Sequence, residues 1–187
     1  KVDTLILDKT GTLTQGRPHL ISIVALAELT EAEVLRSAAS LEQGSEHPVA
    51  HAVLEAAEGR GIALAEVRDF RSLPGRGAQG VVDGHAVAIG NERLVEELGL
   101  ETEADMVRPQ VEAMRRRGQT VLFVIVDGEL VGRLGVADPI KESAREAIAA
   151  LRREKLRIVM VTGDHRQTAE AVARELGIDE VIAEVMP

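Results

Sequence analysis

The spacing of apolar positions changes several times along the chain, and each change predicts an element. Val2 to Leu7 is a short apolar run closed by Asp8, the pattern of a buried strand. A polar loop, Asp8 to Thr14, follows, and residues 20 to 26 predict a second strand. Thr30 with Glu33 three positions later forms a capping box that opens a helix through about Leu41. Pro48, at home in a first helical turn, opens another helix that breaks at Gly59-Arg60-Gly61. Asp83-Gly84 and Asp127-Gly128 each join two β-prone runs, 79–82 to 85–89 and 120–126 to 129–136, as two-residue hairpin turns. Helices are expected over 91–98 and 104–117, the second closing on Gly118. From Asp138 the order becomes helix (141–154), strand (157–161), loop (162–164), helix (165–176) and strand (180–183), a βαβ alternation that calls for a parallel sheet covered on both faces.

The first strand has no helix of its own to return it to a neighbour, so it joins the sheet of the C-terminal stretch. The expected fold class is α/β: a discontinuous parallel-sheet domain, 1–17 with 128–187, interrupted by an inserted α+β domain over 18–127 built on an antiparallel sheet. Strand signals run close to both ends, at Lys1-Val2-Asp3 and Glu184-Val185-Met186-Pro187, so the sequence reads as an excised piece. It holds no internal repeat.

Composition narrows the partners. With 31 acidic against 22 basic side chains the formal charge is −9, which disfavours nucleic acid or an anionic membrane surface as a partner. Zero cysteines excludes disulfides, thiolate metal sites and a thiol nucleophile. No Trp, no Tyr and two Phe leave little for base stacking. No apolar run reaches the roughly 18 residues of a membrane span, so this stretch is expected to be soluble, and monomeric.

Ligands of an open parallel sheet sit beyond the carboxyl ends of its strands. Two loops belong there: Asp8-Lys9-Thr10-Gly11-Thr12-Leu13-Thr14, and Thr162-Gly163-Asp164 at a strand end and helix N-terminus, where free amides and the helix dipole favour phosphate. A carboxylate repels a phosphate unless a cation intervenes, so the pairing implies Mg²⁺ and a carboxylate acting as nucleophile. Asp followed by Gly after a strand is commonly only a turn, and Thr-Gly-Asp alone says little. The seven-residue string is far more specific.

That string resembles the phosphorylation motif of the P-type ATPases, and Thr162-Gly163-Asp164 resembles their second phosphate-site motif. Ser45-Glu46-His47-Pro48 is similar to the signature of the heavy-metal-transporting branch, as are Glu42 five residues before that histidine, Gly75-Arg76-Gly77 and Gly90-Asn91. The resemblance covers essentially the whole chain. It implies a haloacid-dehalogenase-like phosphorylation domain with an inserted nucleotide-binding domain, on the cytoplasmic face of a membrane. Asp8 would accept the γ-phosphoryl group of ATP, with Lys9 beside it and Thr162, Gly163 and Asp164 holding phosphate. The Asp8 carboxylate and the Thr10 carbonyl would ligate Mg²⁺. Glu42, His47, Gly75, Gly77, Gly90 and Asn91 would seat the nucleotide, the glycines letting backbone approach it closely. The partners implied are ATP and the membrane and actuator domains of a parent transporter, with copper favoured over zinc by the Leu-Ile-Leu run before Asp8.

The pattern is incomplete: the family's Gly-Asp-Gly-x-Asn-Asp segment, whose acid completes the Mg²⁺ site, and its phosphate-contacting lysine do not occur. The third metal ligand is therefore missing, and turnover by this chain alone is expected to be negligible. A phosphatase of the haloacid-dehalogenase-like superfamily is the main rival, but such phosphatases generally carry a second Asp two residues after the nucleophile, where this chain has Thr10. A non-catalytic nucleotide-binding module is the other, separable by phosphate incorporation.

Other features carry plainer meanings. His47 and His51 have zinc-binding i, i+4 spacing, yet Pro48 stands where a zinc protease needs its glutamate and no third ligand follows. Gly75-x-Gly77-x-x-Gly80 opens into a strand rather than a helix, unlike a dinucleotide fingerprint. Arg115-Arg116-Arg117 suits a solvated helix C-terminus, and Asp138-Pro139 and Lys141 receive no role.

Overall fold

A computed structural model describes residues 2–26 and 28–185. The expected chain ends at Lys1, Met186 and Pro187 lie outside the described residues. The chain divides into two compact units: Lys1–Pro18, Glu112–Thr120 and Ala137–Pro187 form the first, His19–Val111 and Val121–Val136 the second.

The first unit is built on a three-stranded parallel sheet, order β1-β8-β9: β1 (Thr4–Asp8), β8 (Arg157–Val161) and β9 (Glu180–Ile182). Its helices are α5 (Glu142–Arg153) and α6 (Arg166–Leu176). Leu5 pairs Ile158, Leu7 pairs Met160 and Met160 pairs Val181, so these side chains share one face. Both helices pack on that face, through Ala144 and Ile148 of α5 and Ala169, Val172, Ala173 and Leu176 of α6. The expected cover on both faces is not what forms: on the opposite face Ile6 is 64% exposed and Ile182 45%. Gly177 ends α6 in the left-handed conformation, as the sequence pattern requires of a helix stop.

The second unit carries a six-stranded sheet, order β2-β7-β6-β5-β4-β3. Its strands are β2 (His19–Ala25), β3 (Val67–Leu73), β4 (Gly77–Val82), β5 (His85–Gly90), β6 (Thr120–Val126) and β7 (Glu129–Ala137). The helices are α1 (Glu31–Glu42), α2 (Pro48–Gly59), α3 (Glu92–Glu97) and the first part of α4 (Glu101–Arg116), whose residues from Glu112 on belong to the first unit. Val34, Leu35 and Leu41 of α1 and Val53 of α2 meet Ala78, Val87, Ile89 and Val124 of the sheet in an apolar core. Thr30 and Glu33 form the expected reciprocal cap.

Two expectations need correction. The strand at 129–136 was assigned to the parallel sheet, with a boundary at 127/128. Instead β7 lies between β2 and β6 in the six-stranded sheet, because the tight Asp127-Gly128 turn keeps β6 and β7 adjacent. The other is β3, which the apolar pattern did not predict. Its pairing with β4 slips between Arg68 and Arg71, where Asp69 takes φ 51°, and this bulge destroys the period-two alternation.

Candidate active site

Asp8 is the last residue of β1, and its exposed carboxylate has no hydrogen bond or ion pair among the described residues. The chain then makes a wide turn over Lys9–Leu13, closed by the Thr14 N–H to the Lys9 carbonyl at 3.1 Å, with Gly11 at φ 75°. Parallel pairing sets Asp8 opposite Val161, so the Thr162-Gly163-Asp164 loop leaves the sheet beside the Asp8 loop. Lys9, only 7% exposed, joins the two: its Nζ lies 2.5 Å from Asp164 Oδ2. That oxygen is buried and has no hydrogen bond of good geometry, so the ammonium charge is what answers it. Thr162 is buried and its hydroxyl accepts from the Asp164 N–H at 3.2 Å. The segment after β9 pins this loop, with Glu184 N–H on the Asp164 carbonyl (3.0 Å) and Val185 N–H on the Thr162 carbonyl (3.2 Å).

Asp138 and Lys141, given no role by sequence, hold the Asp8 loop. The Asp138 carboxylate accepts from the Thr14 hydroxyl at 2.5 Å and from the Gly16 and Arg17 N–H groups at 3.1 Å each. Lys141 Nζ donates to the Gly11 carbonyl, and the Gln15 and Lys141 N–H groups bond to the Pro139 and Leu13 carbonyls. The signal for them lay in the Asp-Pro closing a strand 121 residues after Arg17, a long-range pairing that no local pattern reveals. Arg115, expected in solvent, is 7% exposed and places Nη1 3.4 Å from His165 Nε2.

In the second unit, Gly77 pairs Gly90 across β4 and β5, and Asn91 fastens the turn before them through its Nδ2 to the Gly75 carbonyl (2.8 Å) and its N–H to the Arg76 carbonyl (2.8 Å). The glycines serve the sheet first. A Cβ on Gly77 would stand 2.0 Å from the Ile89 carbonyl oxygen, and one on Gly90 2.2 Å from that of Arg76. Only Gly75, at φ 69° with nothing within 4 Å of its would-be Cβ, faces open space. Asn91 also caps α3, its Oδ1 accepting from Arg93 N–H.

Glu42 and His47 flank the turn from α1 to α2. Glu42 is 7% exposed; burial pushes its carboxyl up from the ordinary range, partly offset by a hydrogen bond from Ser45. His47 is exposed and caps α2, its Nδ1 accepting from Val49 N–H at 3.2 Å, so the proton sits on Nε2. His51 is exposed. Gly44, unnoticed in the sequence, lets this turn lie on the Phe70 ring, 2.6 Å from where its Cβ would be.

Asp8 and the Thr10 carbonyl are exposed oxygen donors on one turn, the donor type that Mg²⁺ takes. Among the described residues no group of three or more His, Asp or Glu could hold a metal. No helix among them is long and apolar enough to cross a membrane.

Residues 2–187 match the model of the haloacid dehalogenase-like hydrolases. Over all 187 residues the chain is 49% identical to a copper-transporting P-type ATPase of Rhizobium leguminosarum bv. viciae and 44% identical to a silver-exporting P-type ATPase of Salmonella typhimurium. It spans 22% of the length of each. The crystal structure of a zinc-transporting PIB-type ATPase in its E2.Pi state superposes with TM-score 0.70 at 30% identity, over 99% of this chain and 29% of that one.

Proposed function

The chain belongs to the haloacid dehalogenase-like hydrolase family, and from that premise we propose that it is the phosphorylated and ATP-binding portion of a P-type ATPase that exports a transition metal, copper rather than zinc. One observation carries the reading: an unpartnered Asp8 carboxylate ends a parallel strand beside a Thr-Gly-Asp loop, with Lys9 joining the two. The names of the curated relatives, which transport copper or silver, favour copper.

Asp8 attacks the γ-phosphorus of ATP; the new O–P bond forms as the bond to the bridging oxygen breaks, and ADP leaves. Thr162, Gly163 and Asp164 hold the phosphoryl group, and Lys9 keeps the Asp164 carboxylate from repelling it. Mg²⁺ bound by the Asp8 carboxylate and the Thr10 carbonyl would offset charge between carboxylate and phosphate. Thr10 cannot act as the general acid and base that a phosphatase uses to break its intermediate, so the aspartyl phosphate persists and can drive transport elsewhere in a larger protein on the cytoplasmic side of its membrane. Glu42, His47, Gly75, Gly77, Gly90 and Asn91 seat the nucleotide; His47, with Nδ1 spent on the helix cap, offers Nε2–H.

Calorimetric titration with ATP tests the nucleotide site. His47→Asn keeps a helix cap but removes Nε2, and is expected to weaken ATP binding while the melting temperature holds. Unchanged affinity in His47→Asn and in Gly75→Asp would refute the site.

A further inference from the structure

The turn after Asp8 fixes the direction of one carbonyl. Thr10 has φ −76° and ψ 124°, and Gly11 has φ 75° and ψ −16°, the backbone of a type II β-turn over Lys9–Thr12 with Gly11 third. A type I turn over the same four residues differs mainly in ψ of the second and φ of the third, by about 150° and 170° in opposite senses. Exchanging the two forms turns the Thr10–Gly11 peptide over and leaves the chain on either side in place. Glycine adopts either form, so the backbone leaves open which way the Thr10 carbonyl faces.

Thr14 makes the choice. It is fully buried, and its Oγ1 accepts from the Gly11 N–H at 3.3 Å. The other groups at that hydroxyl are the Asp138 carboxylate at 2.5 Å and the Lys9 carbonyl at 3.1 Å, and an ionised carboxylate and a carbonyl can only accept. The hydroxyl proton goes to them, and a lone pair is left for Gly11. A flipped peptide would bring the Thr10 carbonyl, a third acceptor, to the same oxygen in place of a donor. In a trans peptide C=O and N–H point opposite ways, so a Gly11 N–H directed at buried Thr14 turns the Thr10 carbonyl away from it. Lys141 donates to the Gly11 carbonyl, which belongs to the next peptide, and so does not oppose a flip of this one.

We propose that Thr14 is a positioning residue of the cation site: through the Gly11 N–H it holds the Thr10–Gly11 peptide in the orientation that leaves the Thr10 carbonyl, with the Asp8 carboxylate, available to a divalent cation. The inference rests on reading those two oxygens as ligands of Mg²⁺. Asp138 acts one step behind, by keeping the Thr14 oxygen an acceptor.

NMR of the ¹³C,¹⁵N-labelled 187-residue chain, with Mg²⁺ as the probe, tests this. A ψ near 124° brings the Thr10 Hα close to the Gly11 N–H and a type I turn does not, so that NOE reports the turn without metal. In the unaltered chain the NOE should be strong, the Gly11 amide protected from exchange, and the Thr10 carbonyl carbon shifted by millimolar Mg²⁺. Thr14→Val keeps the volume but has no acceptor; it should weaken the NOE and lower Mg²⁺ affinity about fivefold, the scale of one hydrogen bond. Thr14→Ser keeps the hydroxyl and should retain both. Gly11→Ala adds a Cβ that meets nothing within 4 Å, so it acts through the positive φ and should weaken Mg²⁺ binding as Thr14→Val does, with every side-chain contact in place. A Gly11 amide that exchanges at the rate of an open chain, an NOE unchanged in Thr14→Val, or Mg²⁺ affinity unchanged in Gly11→Ala overturns the positioning role, the first and last even if Thr14→Val does not fold. Mg²⁺ that fails to move the Thr10 carbonyl carbon in the unaltered chain overturns the reading of Asp8 and Thr10 as cation ligands, and the inference with it.

Discussion

Lys9 reaching Asp164, Asp138 collecting Thr14, Gly16 and Arg17, and Lys141 reaching Gly11 are side chains that fix loops, and they make up the candidate site of the first unit. In the second unit the corresponding work falls mainly to backbone: Gly77 and Gly90 let two strands approach where any Cβ would collide, with the Asn91 side chain alone tying down the turn beside them. A site held by side chains can be loosened one contact at a time while the chain keeps its path. A site held by backbone approach tolerates almost no added atom, so its fold and its binding fail together.

The sharpest way to break this contrast is at Gly90. Gly90→Val should cost about 4 kcal/mol or more in urea unfolding, because its Cβ would lie 2.2 Å from a carbonyl oxygen that is itself bonded to Asn91 N–H. Gly75→Ala should cost only about 1 kcal/mol, the penalty of a side chain at positive φ in open space. Equal costs at the two positions would mean that backbone approach is not what the glycines serve.

Next in size is Lys9. Lys9→Met leaves the Asp164 carboxylate buried beside an apolar chain and should destabilise by about 3 kcal/mol in chemical denaturation. Lys9→Met with Asp164→Leu should recover most of that loss, since no lone charge then remains. Failure of the double variant to recover would show that the pair matters for more than its own neutralisation.

Asp138→Ala should cost about 2 kcal/mol by stranding the Thr14 hydroxyl and two backbone N–H groups, with faster amide exchange confined to residues 11–17. Exchange that quickens across β8 as well would mean that Asp138 supports the sheet and not only the loop.

The smallest effect expected is a pH dependence at Glu42. Burial raises its carboxyl pKa in the folded state, so its contribution to stability is fully present below its ordinary value near 4.5 and is lost as pH rises through the raised one. Glu42→Gln should therefore melt higher than the parent chain at pH 7 and lose that advantage toward pH 4, while binding ATP more weakly. A melting difference that is flat with pH would contradict the buried-carboxylate account.

Much of this was legible in the chain because local chemistry wrote it. The Thr30–Glu33 box, Pro48 at a helix start and the two Asp-Gly turns all act within a few residues, and the elements they bound formed where expected. Asp8, Lys9 and the Thr162–Asp164 loop were legible for the same reason, as short strings at strand ends. Long-range choices were not. Nothing local tells β7 which sheet to join, the bulge at Asp69 hid β3, and Asp138 finds its donors only across a sequence separation of 121 residues or more. The glycines were singled out only by resemblance, as places where backbone could approach a nucleotide; that Gly77 and Gly90 avoid a collision between strands is visible only when β4 and β5 are paired. Arg115 was misjudged because a basic helix end looks solvated until a partner such as His165 is known.

The central claim is that Asp8 accepts phosphate from ATP. It is tested most directly by exchanging these 187 residues into the Rhizobium leguminosarum copper-transporting relative, incubating with γ-³²P-ATP and Mg²⁺, and quenching in acid. The account predicts an acid-stable, hydroxylamine-labile label that mass spectrometry maps to Asp8 and that vanishes in Asp8→Asn, an amide being too poor a nucleophile to form the acyl phosphate. A label that survives Asp8→Asn, or one that maps to any other residue, would contradict it.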